Sequence, residues 1–217
     1  DYTSILLLDT KGMIVTESNS PDRKVCIIDK IKALFPTAAA GTKVRHSELI
    51  LCDKGDPAMG FVIALFQEID RDQILLGYVV AFASLKQYSF PNIERWPTAS
   101  RSGETLLLQR NQDEVLYLSP LRHKAAPPLS LRVPLTRTEL PAVRAVLDDK
   151  AGQTAGIDYR NETVLSAYHP IAGTSWLLLA KIDRAEVLAP LWHTVFWLVP
   201  IALTAVLAIM WALLKLW

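Results

Sequence analysis

Apolar and polar positions alternate twice in the same way along this chain. Ile5–Leu8 and Met13–Thr16 are apolar runs separated by Thr10-Lys11-Gly12, a break where glycine supplies a positive φ. Thr105–Gln109 and Glu114–Leu118 repeat the arrangement around Arg110-Asn111-Gln112-Asp113. Each pair predicts a β-hairpin. A second echo follows each hairpin. Gly60–Leu85 holds two apolar strands around an acidic turn, and Glu162–Asp183 holds two around Ala172-Gly173-Thr174. Leu6 to Leu106 is 100 positions and Gly60 to Glu162 is 102, so two features recur at nearly one offset. That is the mark of a duplicated unit.

Helical periodicity lies between hairpin and strand pair in both halves. In VCIIDKIKALF, Val25–Phe35, apolar residues at 27, 28, 31, 34 and 35 form a stripe that Pro36 is expected to stop. In TELPAVRAVL, Thr138–Leu147, Pro141 lies near the start and Val143, Val146 and Leu147 share a side. The stretch from Pro120 to Pro141 is rich in proline and basic residues and reads as loop. GYVVAFA, Gly77–Ala83, is apolar at every other position and between, which predicts a central strand covered on both faces. Strand, strand, helix and further strands, twice over, predict an α+β fold of antiparallel sheets with helices packed on them.

The C-terminal pattern is different. Thr194–Leu214 contains no charge. As a helix these residues would span ~31 Å, which matches the hydrocarbon core of a bilayer. Trp192, Trp197, Trp211 and Trp217 lie toward its ends, where aromatic rings favour the membrane interface. Lys215 after the run points to a cytoplasmic C-terminus, which places residues 1 to about 190 outside the cytoplasm. Asp1 enters a strand with no signal peptide before it, so the chain reads as a fragment whose export or anchoring segment precedes it.

Composition changes this picture little. The net charge is +1, which gives no reason to expect nucleic acid as a partner. Hydrophobic residues make up 51%, much of the excess lying in the C-terminal run. Cys26 and Cys52 would be compatible with a disulfide in an oxidising compartment or with buried free thiols; their spacing is no metal motif. No nucleophile elbow, zinc-protease helix, phosphate loop or CxxC pair occurs, so no catalytic residue, metal or cofactor is assigned. Asp53, Asp56, Glu68, Asp70 and Asp72 do not follow calcium-loop spacing and read as exposed turns.

The second half resembles a known family most closely in SGETLLLQRNQDEVLYLSPLR, Ser102–Arg122, and AGIDYRNETVLSAYHPIAGTSWLLLAKIDRAEV, Ala155–Val187. These are similar to the membrane-proximal unit of double Cache domains, the tandem PAS-like extracytoplasmic sensors of bacterial transmembrane receptors. The resemblance implies a membrane-distal Cache unit over 1–95, lacking the N-terminal helix typical of the family. It also implies a membrane-proximal unit over 96–190 and a transmembrane helix over 191–217. It further implies a homodimer in the bacterial inner membrane, with the sensor part periplasmic or extracellular. The output, cyclic-di-GMP turnover or histidine phosphorylation, would lie beyond Trp217. A membrane-tethered binding module without an output of its own is the alternative.

In this family the distal unit holds a small ligand beside its sheet. The amino-acid-binding subset does so with a cluster of tyrosine, arginine and tryptophan and a later aspartate. KVRHSELILC, Lys43–Cys52, has Arg45 and His46 but no neighbouring tryptophan or tyrosine, so the ligand class stays open. By chemistry alone, Arg45 suits a carboxylate, and His46 can donate, accept or titrate. Tyr78, Phe82 and Tyr88 would supply aromatic walls. Tyr159, Tyr168 and His169 are read as packing or bonding locally. Asn161 stands where similar sequences often carry glycine, in a position that tolerates turn geometry. At the junction with the C-terminal helix, Asp183 resembles an N-cap and Glu186 the third helical residue of a capping box, with Pro190 expected to break or kink the helix. Movement of this helix against its dimer partner would carry the signal.

Overall fold

The computed structural model describes residues 4–18, 31–40, 44–51, 57–69, 72–88 and 90–216. Cys26 and Cys52, and residues 25–30 of the expected first helix, lie outside them. The chain divides into two compact units, Asp1–Arg95 with Leu116–Arg132, and Trp96–Val115 with Val133–Trp217.

The first sheet starts with the expected hairpin, β1 (Ser4–Leu8) and β2 (Ile14–Ser18). The turn closes on Asp9, whose carboxylate accepts the N–H groups of Lys11 (2.9 Å) and Met13 (2.8 Å). Gly12 lies at φ 80° and leaves room for the Phe35 ring, which a Cβ there would meet at 2.8 Å. β3 (Arg45–His46) and β4 (Ile50–Leu51) are short edge pieces. β5 (Pro57–Ile69) and β6 (Asp72–Ser84) form a long hairpin. The order is β2-β1-β6-β5-β3, with β4 also pairing with β5. β6 is central, as its sequence predicts. Its two faces differ, however. Tyr78, Val80 and Phe82 are buried, whereas Val79, Ala81 and Ala83 are only half-buried, so one face alone is fully covered. The pairing of β5 with β6 shifts register between Leu65 and Phe66, beside Gly77. A Cβ on Gly77 would stand 2.2 Å from the Leu8 carbonyl oxygen, so this crossing requires glycine.

Pro36 does not stop the first helical stretch. A 3-10 turn at Lys32–Leu34 leads into α1 (Phe35–Ala39), with Pro36 in its first turn. Proline fits there because the first helical N–H groups have no intrahelical acceptor. Phe35 reaches the covered face of the sheet and stacks on Tyr78 at 4.4 Å between centroids. Leu6, Leu8, Ile31, Val62, Val80 and Phe82 complete that core. Two short helices, α2 (Leu85–Tyr88) and α3 (Phe90–Glu94), follow β6.

The second sheet begins with β7 (Glu104–Asn111) and β8 (Glu114–Tyr117), turning at Gln112 with φ 54°. The proline-rich stretch is not wholly loop, since Arg132–Pro134 forms β9 on the edge beside β8. α4 (Pro141–Asp148) packs Val143, Ala145 and Val146 inward and ends on Asp149 at φ 46°. β10 (Gly152–Ile157), β11 (Thr163–Pro170) and β12 (Trp176–Asp183) complete the order β10-β11-β12-β7-β8-β9. In both sheets the last strand lies beside the first, and the opening hairpin runs out on the far side.

α5 (Arg184–Leu216) follows β12 directly. Of the break or kink expected at Pro190, a break does not occur: the helix is continuous through Pro190 and Pro200. Phe196, Trp197, Ile201, Leu207 and Trp211 are exposed along it. The helix is long and apolar enough to cross a membrane.

Candidate functional site

Strand register decides which of the candidate ligand residues share a surface, because directly opposed residues of an antiparallel pair project to the same face. Arg45 opposes Val62, which opposes Val80, which opposes Leu6. Those three apolar partners are fully buried. Arg45 therefore lies at the edge of the covered face, the face that carries Tyr78 and Phe82. His46 opposes Phe61 and, through it, Ala81 and Ile5, which places it on the other face. Its ring is 6.5 Å from that of Phe61, and Nδ1 is 3.3 Å from the Ser47 carbonyl. The pair read together from the sequence is thus split by the alternation of a strand.

Tyr78 and Phe82 are each 5% exposed and belong to the core. Phe82 packs over Gly60, where a Cβ would come within 3.3 Å of its ring. Tyr88 ends α2, and its side chain lies outside the described residues. Of the candidates on this face, Arg45 is exposed at the rim, while Tyr78 and Phe82 are occupied by core packing. An exposed guanidinium can bind a carboxylate in two parallel hydrogen bonds. Glu68 and Asp72 are exposed, as expected for the acidic turn. Among the described residues no cluster of metal-ligating side chains occurs.

The second unit contains a polar constellation that sequence reasoning missed. Lys181 on β12 is 2% exposed. Its ammonium lies 2.9 Å from Glu104 Oε2 on β7, donates to Asp158 Oδ2, and stands 4.3 Å over the Tyr159 ring. The Tyr159 hydroxyl donates to Glu104 at 2.8 and 3.0 Å. Asp158 also organises its own turn, accepting the N–H groups of Arg160 (2.7 Å) and Glu162 (3.2 Å), with Asn161 at φ 69°. Arg160 Nε donates to Asp158 Oδ2 at 2.6 Å, and its Nη2 reaches Asp183. Burial would raise the Asp158 carboxyl pKa. The hydrogen bonds from Lys181 and Arg160, with the Lys181 charge, outweigh burial and hold it below its usual value. Burial would lower the Arg160 guanidinium, but its bonds to Asp158 and Asp183 raise it. The signals were a lysine inside the apolar strand WLLLAKID and a glutamate opening ETLLLQRN. Each is a charge on an otherwise buried strand, which requires a partner.

The junction departs from the local capping box. Asp183 immediately precedes α5, as expected of an N-cap, but Arg160 takes its carboxylate. Glu186 does not bond back to the Asp183 N–H. That N–H donates to Ser102 Oγ at 3.0 Å, and Ser102 Oγ in turn donates to Glu186. A serine distant in sequence thus stands between the two halves of the box. Tyr159 reaches across to Glu104 on β7, whereas Tyr168 and His169 make the packing and local bonds expected of them. Tyr168 donates to Asp148, which raises its hydroxyl pKa, and His169 Nδ1 lies 2.7 Å from the Pro170 carbonyl.

No protein-family model matches the chain, and no curated protein matches it. Solved structures do. The periplasmic sensory domain of the Campylobacter jejuni chemoreceptor Tlp1 aligns over 87% of this chain and 74% of its own, with TM-score 0.55 and 14% identity. The ligand-binding domain of the Pseudomonas aeruginosa PAO1 amino acid chemoreceptor PctB, solved with L-Arg, aligns over 90% and 71%, with TM-score 0.53 and 14% identity. The extracellular domain of rpHK1S-Z16, assigned as a histidine kinase, aligns over 85% and 71%, with TM-score 0.54 and 15% identity. The chain shares its fold with these extracellular and periplasmic sensory or ligand-binding domains.

Proposed function

We propose that this chain is the extracytoplasmic ligand-sensing part of a membrane-bound signalling receptor. In this reading residues 1–95 form a membrane-distal PAS-like unit, 96–190 a membrane-proximal one, and 191–217 the transmembrane helix. The observation that carries it is the shared connectivity of the two sheets. Each places its last strand beside its first, and the whole has the fold of receptor sensor domains. The distal unit would take a small carboxylate-bearing molecule, with the exposed Arg45 as the recognising group. The proximal unit would couple ligand binding to α5 through Asp183 and Glu186, in a homodimer with its C-terminus in the cytoplasm. An output of histidine phosphorylation or cyclic-di-GMP turnover would follow Trp217.

Membrane topology is tested with single cysteines in a background where Cys26 and Cys52 are serine. Lys124→Cys lies on an exposed loop and Lys215→Cys beyond the apolar run. In spheroplasts a membrane-impermeant maleimide should label position 124 at once and position 215 only after lysis. Labelling of 215 but not 124 in intact spheroplasts overturns the orientation. Equal labelling of both overturns the span.

A further inference from the structure

The covalent link into the second sheet is the segment Trp96–Gly103, between α3 and β7. Its last residues converge on one side chain of α5. Ser100 Oγ (2.9 Å) and the Arg101 N–H (3.0 Å) donate to Glu186 Oε1. The Ser102 N–H (2.9 Å) and Ser102 Oγ donate to Oε2. The carboxylate therefore accepts four hydrogen bonds, two of them from consecutive backbone amides. Ser100 Oγ also accepts the Gly103 N–H at 2.8 Å, which closes the segment into a turn. The Trp96 ring lies against that turn, where a Cβ on Gly103 would come within 2.6 Å of it. A continuous set of contacts runs from Trp96, through the turn, to the first turn of the helix.

We propose that Trp96–Gly103 sets the position of α5 directly, with Glu186 as the positioning residue and the Ser102 hydroxyl as the pin between strand end and helix. Displacing this segment moves the helix without a change in the sheet. The signalling role of such a movement rests on the receptor reading; the mechanical linkage does not. Two features make the linkage stiff. A carboxylate bonded to fixed amides has little freedom, since hydrogen bonds to a charged acceptor are short and strong. The Ser102 hydroxyl has both its roles in use, accepting from Asp183 and donating to Glu186.

The test is hydrogen exchange of the whole chain in nanodiscs, followed at the amides of residues 187–189, 191 and 192. Glu186→Ala should raise exchange there about tenfold or more while β10–β12 keep their protection. Ser102→Ala should have the same effect to a smaller degree, and Ser102→Thr, which keeps the hydroxyl, should restore protection. Trp96→Ala should raise exchange at the same amides when Glu186 is present, and add nothing in the Glu186→Ala background. Unchanged exchange in both Glu186→Ala and Ser102→Ala overturns the proposal. So does a Trp96→Ala effect that adds in full to that of Glu186→Ala. If Glu186→Ala also loosens the sheet, the comparison of Ser102→Ala with Ser102→Thr decides alone. None of these readouts needs ligand or output, so they fail or succeed independently of the ligand-sensing reading.

Discussion

Hydrocarbon lines the covered face of the first sheet: Leu6, Val62, Val80 and Phe82 pack there, with Phe35 flat on Tyr78. On the second sheet, Leu106, Leu179 and Val164 share the interior with Lys181, Glu104 and Asp158, three charges that are each almost fully buried. The two sheets connect their strands alike and are held together by different forces. An apolar face accommodates small slips, because dispersion contacts are many and individually weak. Paired buried charges do not, because a displaced partner leaves an unpaired charge in a poor solvent. The charged network thus lies in the sheet that leads into α5, and the purely apolar core in the unit that carries Arg45.

The comparison is broken most forcefully at Lys181. Lys181→Ala removes the buried cation that Glu104 and Asp158 share, leaving Asp158 only Arg160, and should cost about 3–5 kcal/mol in urea denaturation. A cost near 0.5 kcal/mol would mean the network is solvated and the contrast between the sheets false. In the first unit, Phe35→Leu keeps most of the apolar volume and removes the ring stack. It should cost about 1–1.5 kcal/mol by the same measurement. A larger loss would show that unit to be as demanding of geometry as the second.

Acid sharpens the same contrast. The Asp158 carboxyl titrates lower in the folded chain than its unfolded value of about 3.9, so the folded state binds fewer protons around that pH. Its contribution is fully present above the unfolded value and drains away as pH falls through the folded one. Stability measured from pH 6 downward should therefore fall, and Asp158→Asn should flatten the part of the slope that belongs to this group. An unchanged slope in the variant would remove Asp158 from the linkage. The smallest effect on stability is expected at Arg45, an exposed rim residue. Arg45→Ala should stay within about 0.5 kcal/mol of the parent.

Much of this architecture is legible in the chain. The hairpins follow from apolar alternation around turns that need a positive φ, and Gly12 and Gln112 adopt it. Asn161 does the same in the turn that Asp158 organises. The limits were physical. Pro36 reads as a stop, yet in a first helical turn its missing N–H costs nothing. Arg45 and His46 are neighbours in sequence, and only the existence of β3 shows that they face opposite ways. The Lys181 network joins residues from β7, a turn and β12, so each charge looks unexplained until the strands are paired. Glu186 fitted a local capping rule, but Ser102 intervened from a segment the rule does not see.

Ligand binding by the first unit is the central claim of the receptor reading. The direct measurement is thermal unfolding of the whole chain in nanodiscs against a panel of amino acids, amines and small carboxylates. A ligand at a hundred times its Kd adds about 2.7 kcal/mol to the folded state. That should raise the Tm by roughly 5–10 °C for a domain of this size. At least one carboxylate-bearing member should give such a shift, and Arg45→Ala should abolish it without changing the unliganded Tm. A flat panel, or a shift that survives Arg45→Ala unchanged, would contradict the proposed reception surface.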